Sequence, residues 1–323
     1  MQLQVSAVVC THNRATILRR ALASLTEQTL APGLFEIVVV DNASTDTTRD
    51  VVERELGNIA KLRYVYEPKL GVSHARNRGW REARAPLVAF LDDDAIAPPD
   101  WLAQIVACFE KLDPKPGCLG GPVEPIWEVP RPDWLPDALL PYLTVLDLDQ
   151  GAGPLPRGKF LYGTNSIFPR ERLAAIGGYS PGLGPIGSWH RSGEDTFVQK
   201  QLRKRGFELR YDPALRVRHH VPAERVTQRW LQRRLYLEGV SRARQQLLAH
   251  EPGPLRRLRL IGVALRKLGS SPRRLLALVL PVSSAERFGR RASSWRRLGF
   301  LMGILGVGAR TRAGGAGATR PPA

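Results

Sequence analysis

Three consecutive carboxylates, Asp92-Asp93-Asp94, follow the short apolar run Leu87 to Leu91. Such a run reads as a strand buried in a parallel sheet, and ligand sites in open α/β sheets lie at the carboxyl ends of those strands. Adjacent carboxylates repel one another, so a cation or solvent must relieve the cluster. A divalent ion, Mg2+ or Mn2+, bridging the diphosphate of a nucleotide would do so while neutralising a leaving group. The plainer alternative is a solvated acidic turn capping the helix that begins near Pro98.

Other polar residues fall at equivalent places. Asp41 ends the run Val38-Val39-Val40, and Thr11-His12-Asn13-Arg14 follows the run Val5 to Cys10. In a parallel sheet these ends share one edge, where Asn13 and Arg14 can meet a nucleotide edge or a phosphate. Ser192-Gly193-Glu194-Asp195 places two acids at a helix start. The helix dipole favours acids there for structural reasons alone, and an acid so placed can also serve as a general base toward a hydroxyl.

The elements that must carry these residues alternate in type. Val5 to Cys10, Glu36 to Val40, Leu62 to Tyr66 and Leu87 to Leu91 are short and rich in β-branched residues, as strands are. Helix-like segments lie near 15–28, 46–56, 73–84 and 99–112, with Asp46 as N-cap of the second and Pro99 early in the fourth. This βα repeat predicts an α/β fold with a mostly parallel sheet flanked by helices. From about 122 to 160 prolines such as Pro122, Pro125, Pro130 and Pro132 predict an irregular excursion. Order returns at Lys159 to Pro169, in a helix over 194–205 closed by Gly206, and in strand-like Phe207 to Tyr211 and Leu215 to His219. A helical pattern follows Pro222.

Composition sets the outer bounds. The 323 residues, 43% apolar, suffice for one α/β domain of roughly 200 to 250 residues and an appendage. Of the formal charge of +18, a surplus of thirteen falls in residues 251–323, where fifteen Arg or Lys face only Glu251 and Glu286. A surplus confined to one tail points to a local anionic partner, an acidic membrane surface rather than nucleic acid, since few aromatics are there to stack bases. The apolar runs Leu275 to Val282 and Leu298 to Val307 fall well short of the roughly 20 residues of a membrane span. Flanked by arginines, they suit helices lying among headgroups, or helices packed onto the rest of the protein. The Gly-, Ala- and Arg-rich end to Ala323 reads as disordered.

Cys10, Cys108 and Cys118 lack metal-ligand spacing and read as buried thiols in a reducing compartment. With no signal-peptide pattern at Met1, a cytoplasmic setting is expected, peripheral on the inner face of the cell membrane.

Taken in order, Val8-Val9-Cys10-Thr11-His12-Asn13-Arg14, Val40-Asp41-Asn42-Ala43-Ser44-Thr45-Asp46, Ala75-Arg76-Asn77-Arg78-Gly79 and Asp92-Asp93-Asp94 resemble the successive motifs of family 2 glycosyltransferases of the GT-A fold. The resemblance covers roughly residues 4 to 245. It implies an inverting transfer of a sugar from a nucleotide diphosphate donor, usually a UDP-sugar, to a hydroxyl of a glycan or lipid-linked acceptor. The setting it implies is assembly of a cell-surface polysaccharide, lipopolysaccharide or glycolipid. On matching positions it puts Asp41 on the nucleotide base, with Thr11, Asn13, Arg14 and Arg76 around the donor. Asp94 would be on the divalent cation and Asp93 near the ribose, with Asp92 able to trade places. Asp195, beside Glu194, would be the general base.

Gly163-Thr164-Asn165 and Gly177-Gly178-Tyr179 resemble segments beside the acceptor, so Gly163 and Asn165 are expected on that side; glycines there can equally serve tight turns. One imidazole of His219-His220, assigned to His220, is expected near the metal or diphosphate, against the alternative of a structural histidine. Arg229-Trp230 is similar to the end of a motif of processive members, but Val226 stands where glutamine is needed, which favours addition of one sugar.

The implied organisation is a catalytic domain over 1–250, its donor half 1–121 and acceptor half 122–250, followed by a basic helical extension over 251–323. Gly182-Leu183-Gly184-Pro185-Ile186-Gly187 has dinucleotide-fingerprint spacing without the strand and helix that motif needs, and reads as a mobile loop near the acceptor. The rivals are a noncatalytic membrane-surface protein on the same fold and a sugar nucleotidyltransferase that attacks an α-phosphate.

Overall fold

The structure, a computed structural model, describes residues 2–55, 61–185, 192–249, 254–269 and 284–306. Two compact units divide the chain: Met1–Leu231 with Ser283–Gly289, and Gln232–Val282 with Arg290–Ala323.

In the first unit, strands β1 (Val5–Thr11), β2 (Phe35–Asp41), β3 (Leu62–Tyr66) and β4 (Leu87–Asp92) run parallel in the order β3-β2-β1-β4. Every residue of β2 is buried, which is why Ile37 to Val40 run apolar without alternation, while the buried Glu36 is satisfied by Ser6 and Arg63. Helices α1 (Ala15–Thr26), α2 (Thr48–Asp50, widening into a π turn over Val51–Glu55), α3 (Val72–Glu82) and α4 (Trp101–Lys111) make the crossovers. Gly79 lets α3 lie flush on the sheet, because a Cβ there would run into the Val8 side chain and stand 3.3 Å from Val40 Cγ2.

Beyond β4 the sheet turns mixed. Strands β6 (Cys118–Gly120), β8 (Gly153–Pro154), β9 (Asn165–Pro169) and β10 (Leu209–Tyr211) extend it as β4-β9-β6-β10-β8, with β9 antiparallel to β4 and β6 and with β10 parallel to β6. A second sheet joins β5 (Ala95–Ile96), β11 (Val217–Val221) and β7 (Val123–Trp127) in the order β5-β11-β7. The proline-rich stretch expected to be irregular thus supplies two strands, β7 and the short β8. Its Pro125 needs no ladder donor there because β7 is an edge strand. Helices α5 (Arg170–Ile176) and α6 (Glu194–Lys204) complete this half.

Three local expectations are corrected. Asp46 stands two residues before α2, its Oδ1 accepting from Thr48 N at 3.0 Å while its Oδ2 accepts from Ala15 N at 3.2 Å, so it ties the starts of two helices together. Pro99 lies in the turn before α4, whose N-cap is Asp100. Of the three thiols, all free, only Cys118 is buried outright; Cys10 and Cys108 are half-buried.

The second unit is helical, with most of α7 (Gln228–Ala249), α8 (Pro254–Gly269) and most of α9 (Ala285–Ile304). Gly299 and Gly303 let α9 approach α7 closely, since a Cβ on Gly303 would stand 2.7 Å from Ala243 Cβ and 3.1 Å from Val240 Cα. The run Leu298 to Val307, expected either among headgroups or packed onto the protein, is largely covered in its described part: Leu301 and Ile304 are buried, and Leu298, Phe300 and Ile261 pack against Leu301. Leu305 remains exposed. Leu275 to Val282 and the end of the chain lie outside the described residues. No helix among the described residues is long and apolar enough to cross a membrane.

Candidate active site

Sheet register brings the first set of residues together. Thr11 pairs with Asp41 and Cys10 with Asp92, so the carboxyl ends of β1, β2 and β4 form one edge. The triplet sits at the tight link from β4 to β5, with Asp93 and Asp94 buried. Thr11 Oγ1 donates to Asp93 Oδ2 at 2.8 Å. Arg14, at the N-cap of α1, splits its guanidinium between Asp93 Oδ1 at 2.6 Å and Asp94 Oδ2 at 2.7 Å. His219 Nε2 lies 3.2 Å from Asp94 Oδ1, and Arg225 Nη2 is 4.0 Å from Asp94 Oδ2.

These surroundings drive the two neighbouring acids apart. Burial pushes Asp93 upward from the ordinary carboxylate range, with Arg14 only partly offsetting it and Asp94 adding to it. Burial also works against ionised Asp94, but His219, Arg14 and Arg225 outweigh it and hold that carboxyl well below its usual range.

A second group forms around Arg76 on α3. Its Nη1 donates to Asp195 Oδ1 at 2.7 Å and to Glu194 Oε1 at 3.1 Å, and its Nη2 lies 3.4 Å from Asp92 Oδ1. The ring of Tyr179 lies 5.5 Å from the guanidinium carbon. Thr164 Oγ1 closes the other side by donating to Asp92 Oδ2. Gly163 leaves the space that the guanidinium fills: a Cβ there would be 2.5 Å from Arg76 Cζ and 2.8 Å from Nη1. The Gly163 amide also donates to Asp195 Oδ2 at 2.9 Å.

Asp195 and Glu194 form the first turn of α6, entered through Gly193 at φ +108°, a conformation glycine adopts without strain. The Asp195 side chain keeps 21% of its surface exposed against 6% for Arg76, so a hydroxyl can reach the acid but not the arginine. Burial lifts Asp195 to about 7; Arg76 opposes the rise, and Glu194 and Asp92 reinforce it. A carboxyl titrating there is matched to proton abstraction near neutrality.

The residues expected at the site are therefore brought together at one end of the sheet. Asp41 is buried and engaged, accepting from Tyr64 OH at 2.7 Å and Ser44 N at 2.9 Å. Asn13, with φ +54°, stitches two loops together: its Oδ1 accepts from Thr45 N at 2.7 Å and Asp46 N at 3.2 Å, and its own amide donates to Ser44 Oγ at 2.9 Å. Arg76, expected around the donor, stands among Asp92, Glu194 and Asp195.

Asn165, expected on the acceptor side, is fully buried, its amide donating to Pro122 O and Leu215 O and accepting from Trp101 Nε1 at 3.3 Å. That side chain is scaffold, closed to any acceptor. The imidazole beside Asp94 belongs to His219 and not to His220. Successive strand residues face opposite ways, and His220 reaches Asp94 only by its backbone amide, which donates to Asp94 O at 2.9 Å.

Gly177 and Gly178 have φ of +75° and +76°, in keeping with tight turns. The described part of the Gly182–Gly187 segment is tied down rather than loose, since Leu183 O accepts from Ser73 Oγ at 2.8 Å and Pro185 O from Val72 N at 3.1 Å. Sequence reasoning missed Tyr64 and Arg225 as members of this cluster. Tyr179, Thr164 and His219 lay inside segments already singled out, the last two one residue from the positions chosen. An apolar groove of about 740 Å³, lined by Trp80, Leu87, Phe109 and Pro169, opens at the opposite end of β4, away from the carboxylates.

No group of three or more His, Cys, Asp or Glu side chains among the described residues is gathered to hold a metal ion. The arrangement nonetheless fits a hard divalent cation, which is commonly held by one or two carboxylates with substrate phosphates completing the shell. Asp94 Oδ1 and the His219 Nε2 that faces it at 3.2 Å are the pair that would take such an ion.

Comparison with known proteins agrees with this geometry. Residues 6–149 match the family model described as glycosyl transferase family 2. Validoxylamine A glucosyltransferase of Streptomyces hygroscopicus subsp. limoneus is 32% identical over 228 residues, 64% of this chain and 49% of that protein. Glucosyl-dolichyl phosphate glucuronosyltransferase of Haloferax volcanii is 29% identical over 251 residues, 76% of this chain and 78% of that protein. The chain spans about half the length of the Streptomyces relatives it matches. The solved mannosyltransferase PcManGT of Pyrobaculum calidifontis, in complex with GDP-Man and Mn2+, superimposes with a TM-score of 0.61 at 21% identity, covering 95% of this chain and 87% of that one. The α/β architecture described above is the GT-A fold.

Proposed function

We propose that this chain, which belongs to glycosyl transferase family 2, moves a single sugar from a nucleotide diphosphate sugar to an acceptor hydroxyl with inversion of configuration. The observation that carries the reading is the one cluster in which Asp195, lifted to about 7, is joined through Arg76 to Asp92 of the triplet at the donor end of the sheet.

In this reading the Asp195 carboxylate takes the acceptor's hydroxyl proton as that oxygen bonds to the anomeric carbon and the bond from that carbon to the diphosphate breaks. Arg76 and the Gly163 amide hold the carboxylate in place, each occupying one oxygen and leaving further lone pairs for the hydroxyl. Asp94 and His219 would hold a divalent ion, which when bound neutralises charge on the departing nucleoside diphosphate. Asp41, fixed by Tyr64, would receive the nucleotide base, with a UDP-sugar favoured. The glucuronosyltransferase relative, named for a glucosyl-dolichyl phosphate, supports a lipid-linked glycan as acceptor.

The test is a screen of nucleotide sugars for transfer and for hydrolysis with Mn2+ or Mg2+, repeated with Asp195→Asn. The expected result is a variant that binds donor nearly as well and transfers nothing. Full transfer by Asp195→Asn removes the base assignment, and a nucleotidyl product in place of a glycoside removes the reaction.

A further inference from the structure

Helix α8 is covered along only part of its circumference. Ile261 packs against Leu301 of α9, in a cluster that also holds Leu298 and Phe300. Next to Ile261 on the wheel, Leu258 is 62% exposed and Leu265 52%, and a Cβ added at Gly262, midway between them in the chain, would meet nothing within 4 Å. Spacings of four and three residues place 258, 262 and 265 on a single stripe. Arg259 and Arg266, both exposed, follow one position after each leucine and so flank that stripe. Along its length α8 carries Arg256, Arg257, Arg259, Arg266 and Lys267, and no acidic residue.

Water is a poor environment for an open leucine stripe, and the charges beside it narrow what can cover it. A second copy of this chain would bring two such cationic helices face to face. A nucleic acid would satisfy the arginines and leave the leucines in water, with no aromatic on α8 to stack a base. An anionic bilayer answers both, taking the apolar stripe beneath the headgroups and the guanidinium groups among the phosphates. At 16 residues broken by cations, α8 can lie in that interface and cannot span it.

We propose that α8 docks this protein on an anionic lipid surface, with Leu258 and Leu265 inserted and Arg259 and Arg266 on the headgroups. The docking face is thus α8, and not the largely covered run at Leu298. The proposal does not depend on the glycosyl-transfer reading, and its test does not measure transfer.

The experiment sediments the full chain with phosphatidylcholine vesicles, with and without phosphatidylglycerol, at low and high salt. Wild-type protein should bind the anionic vesicles only, and less at high salt. Leu258→Glu with Leu265→Glu should lower that partitioning by about tenfold or more. Arg259→Gln with Arg266→Gln should lower it by about tenfold. Both variants should keep the wild-type melting temperature, because the altered side chains are exposed. Equal binding to neutral vesicles, no binding to anionic ones, or variants that bind like wild type would overturn the proposal. So would a wild-type dimer that the leucine variant turns into a monomer, or tighter binding to duplex DNA than to vesicles.

Discussion

Arg76 Nη1 lies 2.7 Å from Asp195 Oδ1, and the same guanidinium reaches Asp92, which ends the strand leading into the acidic link. Residues far apart in the chain thereby answer to one cation. The acid that would take the proton and the strand end that would face the donor share a positioning arginine, seated where only glycine leaves it room.

Replacing that arginine should therefore be costly in two ways. Arg76→Met leaves Asp92, Glu194 and Asp195 without their shared cation, and removing one partner from a buried charge group costs about 3–5 kcal/mol. Chemical denaturation checks the stability, and steady-state kinetics of whatever folds should show a fall in kcat. Gly163→Ala should lower kcat as well by pushing the guanidinium away, with a smaller loss of stability. An unaltered kcat in Gly163→Ala would show that Arg76 need not stand where it does.

The raised Asp195 sets the pH dependence. Its native value near 7 lies above that of the unfolded chain, so the native state holds the extra proton between roughly pH 4 and 7. Stability at this site is complete below that window and declines as the pH rises through it. Activity runs the other way, because the base must be ionised: kcat should climb about tenfold per pH unit below 7 and level off above. A pH–rate profile flat from 5 to 8 (about three units, ample for one ionisation) would contradict the assignment.

Asp94→Asn keeps the shape of the side chain and removes its charge. Mn2+-dependent binding of a nucleoside diphosphate should weaken by about 10- to 100-fold in calorimetry, while binding in chelator should change little. In wild-type protein a chelator should stop transfer, and added Mn2+ or Mg2+ should restore it.

Tyr64→Phe removes the hydroxyl that donates to Asp41. Loss of a hydrogen bond to a carboxylate is worth about 1.5–3 kcal/mol, and Asp41 should lose orientation toward the base. Donor KM should rise with kcat little changed. A mutant with normal KM and reduced kcat would move Tyr64 and Asp41 out of the base pocket.

Asn165→Ala separates scaffold from substrate contact. It strands Trp101 Nε1 and two backbone carbonyls, a loss of about 3 kcal/mol or more by denaturation. Acceptor KM in the folded fraction should match wild type.

Much of this arrangement could be read from the chain alone. Apolar runs of strand length between amphipathic segments dictate a βα repeat, and parallel pairing then obliges Thr11, Asp41 and Asp92 to end at one edge, since register follows from burial of both sheet faces. Local pattern also located Glu194 and Asp195 at a helix start.

What it could not decide depends on contacts between residues distant in sequence. Whether His219 or His220 meets Asp94 turns on which face of β11 lies toward β5. Whether Arg76 reaches a nucleotide or an acid turns on the missing Cβ of Gly163, and whether Asn165 meets an acceptor turns on Trp101 and two carbonyls from other loops. Side-chain type states what a residue can do, but burial and the partner opposite select which of those things it does, and both exist only once the chain has folded.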